Sequence, residues 1–314
     1  MLESIYLAAC TVIPLVVYMG IGGVIKYKGM VTPKTIKEMN DVVFKVLLST
    51  MIFYNIYKAD LKQDFDWKLL VYAIGSLLIL VAFICIVIPK KISDRTIAPV
   101  MIQGIYRSNF VLFGLQVTAS ICGTENLGMA TLLISIIIPM FNVIAVVLFE
   151  TYRSEKVDVG NLLVGIVKNP LIIASVLGLI ALVSGVQFGN LTDNLLKTIS
   201  QMATPMSLIL LGGTVSIVGI KKYWKYTLMA SAARLFVVPF VFLSLAVAFG
   251  FRGTGLVALM VMYGSPTAVS SFPMASSMGG NGELAGQIVA ATTVFSVISI
   301  FLWTYILSIN GWIG

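Results

Sequence analysis

The chain has 314 residues, of which 59% are hydrophobic and 11% are charged, and its formal net charge is +8. A mean hydropathy of +1.00 excludes a soluble globular domain and is typical of a polytopic membrane protein. The absence of histidine excludes HExxH metalloproteases and histidine-based catalytic triads. Because the lysines and arginines cluster in short loops, the positive charge indicates topology rather than nucleic-acid binding, and we expect no cofactor.

Ten apolar segments follow one another along the chain, and most reach the roughly 20 residues that a membrane-spanning helix needs. The second segment is short and carries Lys45, so a half-buried amphipathic helix is an alternative there. We predict an all-α polytopic membrane protein of ten transmembrane helices with these approximate bounds: 5–25, 42–57, 69–89, 97–120, 127–149, 163–186, 199–220, 226–249, 255–278 and 284–309.

The positive residues between the segments predict the orientation of the chain. The loops after the odd-numbered segments contain twelve lysines and arginines, and the alternate loops contain five. Cytoplasmic loops are the more positive ones. We therefore predict that the protein lies in the cell membrane, surrounded by lipid, with both termini outside.

The centre of the fourth segment is unusually polar for a membrane span. Its polar residues are Arg107, Ser108, Asn109 and Gln116. Hydrocarbon tolerates such groups only where they face protein or a water-filled cavity. A similar stretch follows Tyr263 in the ninth segment, 157 residues after Tyr106. Two interrupted helices at matching places in two halves indicate the binding site of a transporter.

The two halves of the chain share a sequence register. Identical residues recur at offsets of 156 or 157, for example Pro14 and Pro170, Gly22 and Gly178, and Trp67 and Trp224. Each half holds five segments, an odd number, so the second half enters the membrane from the opposite side. We therefore predict two inverted five-helix repeats, over residues 1–155 and 156–314.

The two interruptions predict where a ligand binds. The N-terminal end of a helix that restarts in the membrane carries partial positive charge and attracts an anion. Nearby amides and hydroxyls can donate hydrogen bonds, although hydroxyls often bond back to their own helix instead. Ser49 and Asn55 are lesser candidates for the wall of the site. The predicted substrate-binding residues are Arg107, Ser108, Asn109, Gln116, Asn142, Ser265, Pro266, Thr267 and Ser270.

Two arginines, Arg107 and Arg234, lie inside apolar segments without an obvious acidic partner. An arginine at the centre of a membrane helix costs about 2.5–3.5 kcal/mol on insertion scales. For Arg107 two interpretations stay open. It either clamps a substrate carboxylate, or it is structural and reaches water or the open carbonyl end of a broken helix. For Arg234 the structural interpretation is favoured.

All thirteen aspartates and glutamates fall in loops or near the ends of the segments. Proton-coupled carriers use a carboxylate or histidine inside the membrane, and the sequence predicts none at mid-depth. A sodium site made of carbonyls and hydroxyls is an alternative. Export or exchange of an anion needs no proton site, because a negative interior already favours export by about 2.3 kcal/mol per charge per 100 mV.

Several short motifs follow one another along the chain: Asn109 with Gly114-Leu115, Leu148 to Arg153, Lys168-Asn169-Pro170, Thr204-Pro205 with Leu211-Gly212, and Ser265-Pro266-Thr267 through Ser271-Phe272. In order and spacing they resemble the auxin efflux carrier family, which includes plant auxin exporters and bacterial dicarboxylate permeases. The resemblance covers the whole length, with one departure: Gln116 replaces a proline of the family's fourth helix.

The resemblance implies an architecture and a substrate class. Segments 1, 2, 6 and 7 would form a scaffold that assembles as a homodimer. Segments 3–5 and 8–10 would form a transport domain in which helices four and nine cross at their breaks. The substrates of the family are small organic anions, and its helix-four asparagine contacts the substrate carboxylate. Asn109 matches that asparagine.

Three classes of function compete. The first, which we favour, is a secondary transporter of organic anions that works by alternating access of the elevator type, with sodium-coupled symport as a variant. The second is an anion channel, which an inverted repeat does not exclude. The third is an intramembrane enzyme. Enzymatic chemistry is disfavoured, because without histidine or a mid-membrane acid only a Ser-Lys pair remains, with Lys45 as the nearest lysine.

Overall fold

The computed structural model describes residues 2–58, 66–123, 126–153 and 159–313, and every regular element in these ranges is helical. The junction between the two predicted repeats and the acids Asp60, Asp64, Glu125, Glu155 and Asp158 lie outside the described residues. The first helices are α1 (Leu2–Tyr27), α2 (Pro33–Val42), α3 (Ser49–Tyr57), α4 (Trp67–Lys91), α5 (Ala98–Tyr106), α6 (Phe110–Cys122) and α7 (Gly128–Arg153). Then follow α8 (Val159–Lys168), α9 (Pro170–Val183), α10 (Asn190–Thr214), α11 (Ile217–Ala232), α12 (Val238–Ala248), α13 (Gly253–Gly264), α14 (Ser271–Ser277) and α15 (Gly282–Ile309).

Two π-helical turns join helices without a loop. Val43–Leu48 connects α2 to α3, and Ala233–Val237 connects α11 to α12. The predicted second segment is therefore the apolar part of a longer helix that begins at Pro33, where the Thr32 hydroxyl accepts a hydrogen bond from the Thr35 N–H. Most of the polar start of this helix is exposed, including Lys34, Lys37 and Glu38, and Asn40 is its buried residue.

Four helices are long and apolar enough to cross a bilayer, counting only the described part of the chain. They are Trp67–Lys91, Gly128–Arg153, Val218–Ala248 and Gly282–Ile309. Four shorter apolar helices accompany them: Val12–Tyr27, Phe110–Cys122, Pro170–Val183 and Gly253–Gly264. The molecule is a helical membrane protein with several spans.

Helices α1 and α10 approach each other closely because glycines lie at their contact. A Cβ atom built on Gly22 would lie 1.9 Å from the carbonyl oxygen of Ile209, and one on Gly212 would lie 1.9 Å from the carbonyl oxygen of Met19. Helices in lipid gain stability mainly from such close van der Waals packing. α3 packs in turn on α9 and α10, so α1, α3, α9 and α10 form one connected group.

The loop before α5 is fixed by a side-chain cap. The Asp94 carboxylate accepts hydrogen bonds from the hydroxyl of Thr96 at 2.7 Å and from its N–H at 2.8 Å. These bonds, led by the hydroxyl, hold the pKa of Asp94 below its ordinary value. The Thr96 carbonyl accepts from the N–H of Asn281, the residue that caps α15. The N-terminal end of α5 is thereby connected to the start of α15.

Candidate functional site

Two helices are interrupted in the interior of the protein. α5 ends at Tyr106 and α6 begins at Phe110, with Arg107 in an extended conformation (φ −87°, ψ 103°). α13 ends at Gly264, and Ser265 is extended (φ −66°, ψ 151°). The second break follows from the local sequence, because a proline at position 266 disfavours helical geometry at the residue before it. The first break has no proline and depends on pairing with the second.

The two breaks pair with each other as a short antiparallel bridge between Ser108 and Thr267. The N–H of Asn109 donates to the carbonyl of Pro266 at 2.7 Å, and the N–H of Ala268 donates to the carbonyl of Arg107 at 3.0 Å. A buried backbone group without a partner costs about as much as a lost hydrogen bond. Each break therefore stabilises the other, and the crossing is one joint rather than two independent kinks.

The carbonyl ends of α5 and α13 are capped by Arg234. Its guanidinium donates to backbone carbonyls of both helices, and the side chain is almost completely buried. The structural interpretation of Arg234, that it bonds the open carbonyl ends of a broken helix, is confirmed by these contacts.

A cavity of about 370 Å³ opens beside the crossing. One wall comes from the broken segments and α7, and the opposite wall comes from α1, α3 and α10. Most of its lining is apolar. The polar residues of the crossing and of α7 that line it are Arg107, Ser108, Asn109, Asn142 and Ser270.

Arg107 is the charged residue of this cavity, and no aspartate or glutamate joins it among the described residues of the lining. Its side chain is 4% exposed. Nη2 donates to Oδ1 of Asn142 at 2.5 Å, and Nη1 contacts the sulfur of Met274 at 2.9 Å. A thioether is a weak acceptor, so the charge of Arg107 has no full counter-charge within these contacts.

Three polar atoms beside Arg107 are buried and have no hydrogen-bond partner among the described residues. They are Oγ of Ser108, Nδ2 of Asn109 and Nδ2 of Asn142. All three can donate, and a buried donor without a partner costs about 1–3 kcal/mol. Together with Arg107 they make a concentrated set of donors in an otherwise apolar pocket.

Four of the predicted residues lie away from the cavity lining. Thr267 donates its hydroxyl to the carbonyl of Gly104 at 2.7 Å, and Pro266 contributes its carbonyl to the bridge. Ser265 is fully buried, and Gln116 lies on an exposed part of α6, about two helical turns beyond Asn109. The first three therefore build the crossing, and the structure does not bring Gln116 to the cavity.

The cavity also includes residues of α10 that the sequence analysis did not select. Ser200, Thr204 and Ser207 line it from α10, and Asn55, a lesser candidate, lines it from α3. The α10 residues recur at i, i+4 and i+7, the spacing that places side chains on one helix face. That periodicity is the signal that could have identified them.

Lys45, the nearest lysine for a Ser-Lys pair, lies outside the cavity lining. Lys45 is exposed, and the hydroxyl of Ser49 donates to the carbonyl of Phe44 at 3.4 Å. Within the described ranges, no cluster of three or more cysteine, aspartate or glutamate side chains could hold a metal ion.

Residues 7–304 match the sequence pattern of a family described as membrane transport protein. The chain belongs to this family. The match confirms the resemblance to the auxin efflux carriers that the motifs indicated. A protein of Methanothermobacter thermautotrophicus named as an uncharacterized transporter is 24% identical to this transporter over 300 residues, which are 95% of the chain and 97% of the relative. A protein of Methanocaldococcus jannaschii with the same description is 22% identical over 292 residues, which are 90% of the chain and 93% of the relative.

Proposed function

We propose that this transporter moves small organic anions, of the carboxylate class, across the cell membrane by alternating access. The observation that carries the proposal is the set of buried donors on Ser108, Asn109 and Asn142, which have no partner among the described residues and lie around the Arg107 guanidinium. The amides can bond one carboxylate, and Arg107 can form two parallel hydrogen bonds to the second carboxylate of a dicarboxylate. A carboxylate would satisfy donors that the protein leaves unsatisfied, which favours an anion over a cation or a neutral solute.

The backbone adds to this preference. The thirteen-residue helix α6 starts at Phe110, directly after Asn109, and its first N–H groups have no partner within the helix. The N-terminal end of a helix carries about half of a positive elementary charge. Because Ser108 and Asn109 line the cavity, this end lies beside the proposed site, where it favours a negatively charged ligand.

The size of the cavity supports a small substrate. Ligand pockets are generally about 300–1,000 Å³, and this one is near the lower limit at about 370 Å³. A monocarboxylate or dicarboxylate of a few carbons suits this volume. The apolar majority of the lining would cover the hydrocarbon part of the molecule.

The proposed mechanism is an elevator movement of a transport domain against a scaffold. Each of these would be built from both inverted five-helix repeats, 1–155 and 156–314, with ten spans in total. The group α1, α3, α9 and α10 would act as a scaffold and as the dimer contact. The crossed helices would move with the substrate. The cavity lies between these two groups, so a sliding movement at that boundary would carry the site from one side of the membrane to the other.

A thermal-shift screen of mono- and dicarboxylates on the purified protein tests the proposal. A ligand that binds only the folded state stabilises it by about 2.7 kcal/mol at 100 times its Kd. We expect a subset of carboxylates to raise the Tm, and we expect their size-matched neutral amides to leave it unchanged. A response confined to amides or to organic cations would contradict the proposal.

Counterflow separates the transporter from the alternative of an anion channel. Proteoliposomes loaded with the unlabelled substrate should accumulate labelled substrate transiently against its gradient, because a carrier exchanges one bound molecule for another. A channel would only equilibrate the label, so simple equilibration with an anion that passed the thermal-shift screen would favour a channel.

A further inference from the structure

Arg234 lies on a π-helical turn that directs it toward the crossing. It belongs to the π-helical turn Ala233–Val237 and is 1% exposed. A π turn is rare, and it appears frequently at functional sites. Here it is held by Trp303, whose indole Nε1 donates to the carbonyl of Leu235 at 2.9 Å. The position of Arg234 is therefore fixed by the packing of the π turn against α15.

Every N–H group of the Arg234 guanidinium has a backbone carbonyl as its acceptor. A guanidinium has five N–H donors, and the structure gives Arg234 five such bonds of 2.7–3.1 Å. Two acceptors lie at the end of α5 and three at or just after the end of α13. The accepting carbonyls belong to Ile105, Tyr106, Met262, Tyr263 and Ser265.

The charge of Arg234 is balanced by these helix ends. The carbonyl end of a helix carries about half of a negative elementary charge, so two such ends together match one guanidinium. The salt bridges within the described ranges include none to Arg234. The broken helices therefore supply the counter-charge that a buried arginine needs.

In carriers with interrupted helices, unwound carbonyls and the C-terminal ends of half-helices coordinate the coupling cation. We infer that Arg234 is a resident counter-cation that fills this position at the crossing. The transporter then needs no free cation there, and removal of the side chain opens a site for a monovalent cation, with a guanidinium ion as the best fit in shape. The statement about coupling rests on the proposed function, whereas the cation site does not.

The arrangement also separates the helix dipoles. Arg234 neutralises the negative ends of α5 and α13 on one side of the crossing, while the positive end of α6 stays open toward Arg107 and the cavity. Without Arg234 the uncompensated carbonyls would repel an anion bound nearby. Arg234 would then be a positioning residue that acts on the substrate through the two helix ends.

Chemical rescue tests this inference without any substrate. The variants Arg234→Ala and Arg234→Lys are purified together with the control Arg107→Ala. Arg107 is a second buried arginine, but it bonds the side chains of Asn142 and Met274 rather than backbone carbonyls. Tm values are measured in choline chloride and then with millimolar ethylguanidinium or with NaCl at constant ionic strength. We expect Arg234→Ala to lose several degrees in Tm and to regain most of them saturably with ethylguanidinium. Arg107→Ala should show no such recovery.

Binding of radioactive sodium provides the second measurement. The wild-type protein should show no saturable sodium binding at the crossing, and Arg234→Ala should gain it. If Arg234→Ala does not fold, Arg234→Lys is used, and its ammonium group should keep the protein folded with a smaller loss in Tm.

Three outcomes would overturn the inference. The first is a saturable rise of the wild-type Tm with Na⁺ that choline does not reproduce and that Arg234→Lys abolishes. The second is an equal recovery of the Tm of Arg234→Ala and of Arg107→Ala with ethylguanidinium. The third is a Tm of Arg234→Lys equal to that of the wild type. None of these measurements involves a carboxylate, so the inference and the proposed function can fail separately.

Discussion

Arg107 donates a 2.5 Å hydrogen bond from Nη2 to Oδ1 of Asn142, and this contact determines which end of the Asn142 amide meets the cavity. Because the oxygen accepts from Arg107, Nδ2 remains as a donor without a partner in the part of the chain that the structure describes. Two side chains from different helices are thereby combined into one donor surface. The preference for an anion therefore depends on the contact as well as on the two residues.

Asn109→Ala should leave the protein folded and weaken the binding of the best carboxylate about tenfold to a hundredfold. The Nδ2 group has no hydrogen-bond partner in the described part of the chain, so its removal breaks no hydrogen bond there. A hydrogen bond to a charged group contributes roughly 1.5–3 kcal/mol. The Kd is measured by calorimetry.

The matched control for Asn109→Ala is Thr118→Val. Thr118 lies on α6, which begins directly after Asn109, and its buried hydroxyl has no partner among the described residues, but it is outside the cavity lining. Its substitution should not change the Kd. Unchanged affinity of Asn109→Ala for every anion that binds the wild type would refute the proposed site.

Arg107→Ala should weaken dicarboxylates far more than monocarboxylates of similar size. Arg107 would clamp the second carboxylate of a dicarboxylate with two hydrogen bonds, while the first carboxylate, which a monocarboxylate also has, is bonded by the amides and by the start of α6. The measurement compares Kd values for matched pairs of acids in wild type, Arg107→Ala and Arg107→Lys. Arg107→Lys should recover the charge but not the two-bond geometry. Equal losses for both acid classes, together with a lower Tm, would instead assign Arg107 a structural role.

The polarity of the crossing was predictable because a mid-membrane arginine and asparagine cost too much to be left in lipid. The second break was predictable from local sterics, because Pro266 disfavours helical geometry at the residue before it. The first break forms although no proline lies near Asn109. Its geometry depends on backbone pairing with residues more than 150 positions away. The contribution of Thr204 and its α10 neighbours depended on which helix packs opposite the crossing, which only the tertiary structure shows.

Gly22→Ala should lower the Tm by several degrees, because its Cβ would lie 1.9 Å from the carbonyl oxygen of Ile209 on α10. Backbone cannot move aside as a flexible side chain can, and overpacking of this kind generally costs about 1–3 kcal/mol. The control is Gly20→Ala, two positions earlier on the same helix, where a Cβ meets nothing within 4 Å. Both variants are compared by thermal unfolding in detergent. Equal Tm values would show that α1 and α10 are not in this close contact.

Both termini should be accessible from outside the cell, as the loop charges and the even number of predicted spans require. Single cysteines near residues 2–4 and 312–313 are introduced after replacement of Cys10, Cys85 and Cys122. A membrane-impermeant maleimide should label both positions in intact cells. A single cysteine at Lys222, which is exposed near the start of α11 on the side predicted to be cytoplasmic, should react only after lysis. Labelling of only one terminus would indicate an odd number of spans and would rule out two inverted five-helix repeats.

Transport of the identified anion should respond to membrane potential rather than to a proton gradient. The chain has no histidine, and the cavity lining has no aspartate or glutamate within its described residues, so the site lacks the groups that usually bind a coupling proton. A potential of 100 mV acts on each net charge moved with about 2.3 kcal/mol. Proteoliposomes with imposed potassium–valinomycin potentials measure the response of transport to membrane potential. Imposed pH gradients at zero potential measure its response to a proton gradient. The substrate is kept fully ionised throughout, so that its own protonation does not contribute. The initial rate should change several-fold with potential and stay constant with the pH gradient. Accumulation driven by the pH gradient alone would show that a titrating group outside the cavity lining takes part in the transport cycle.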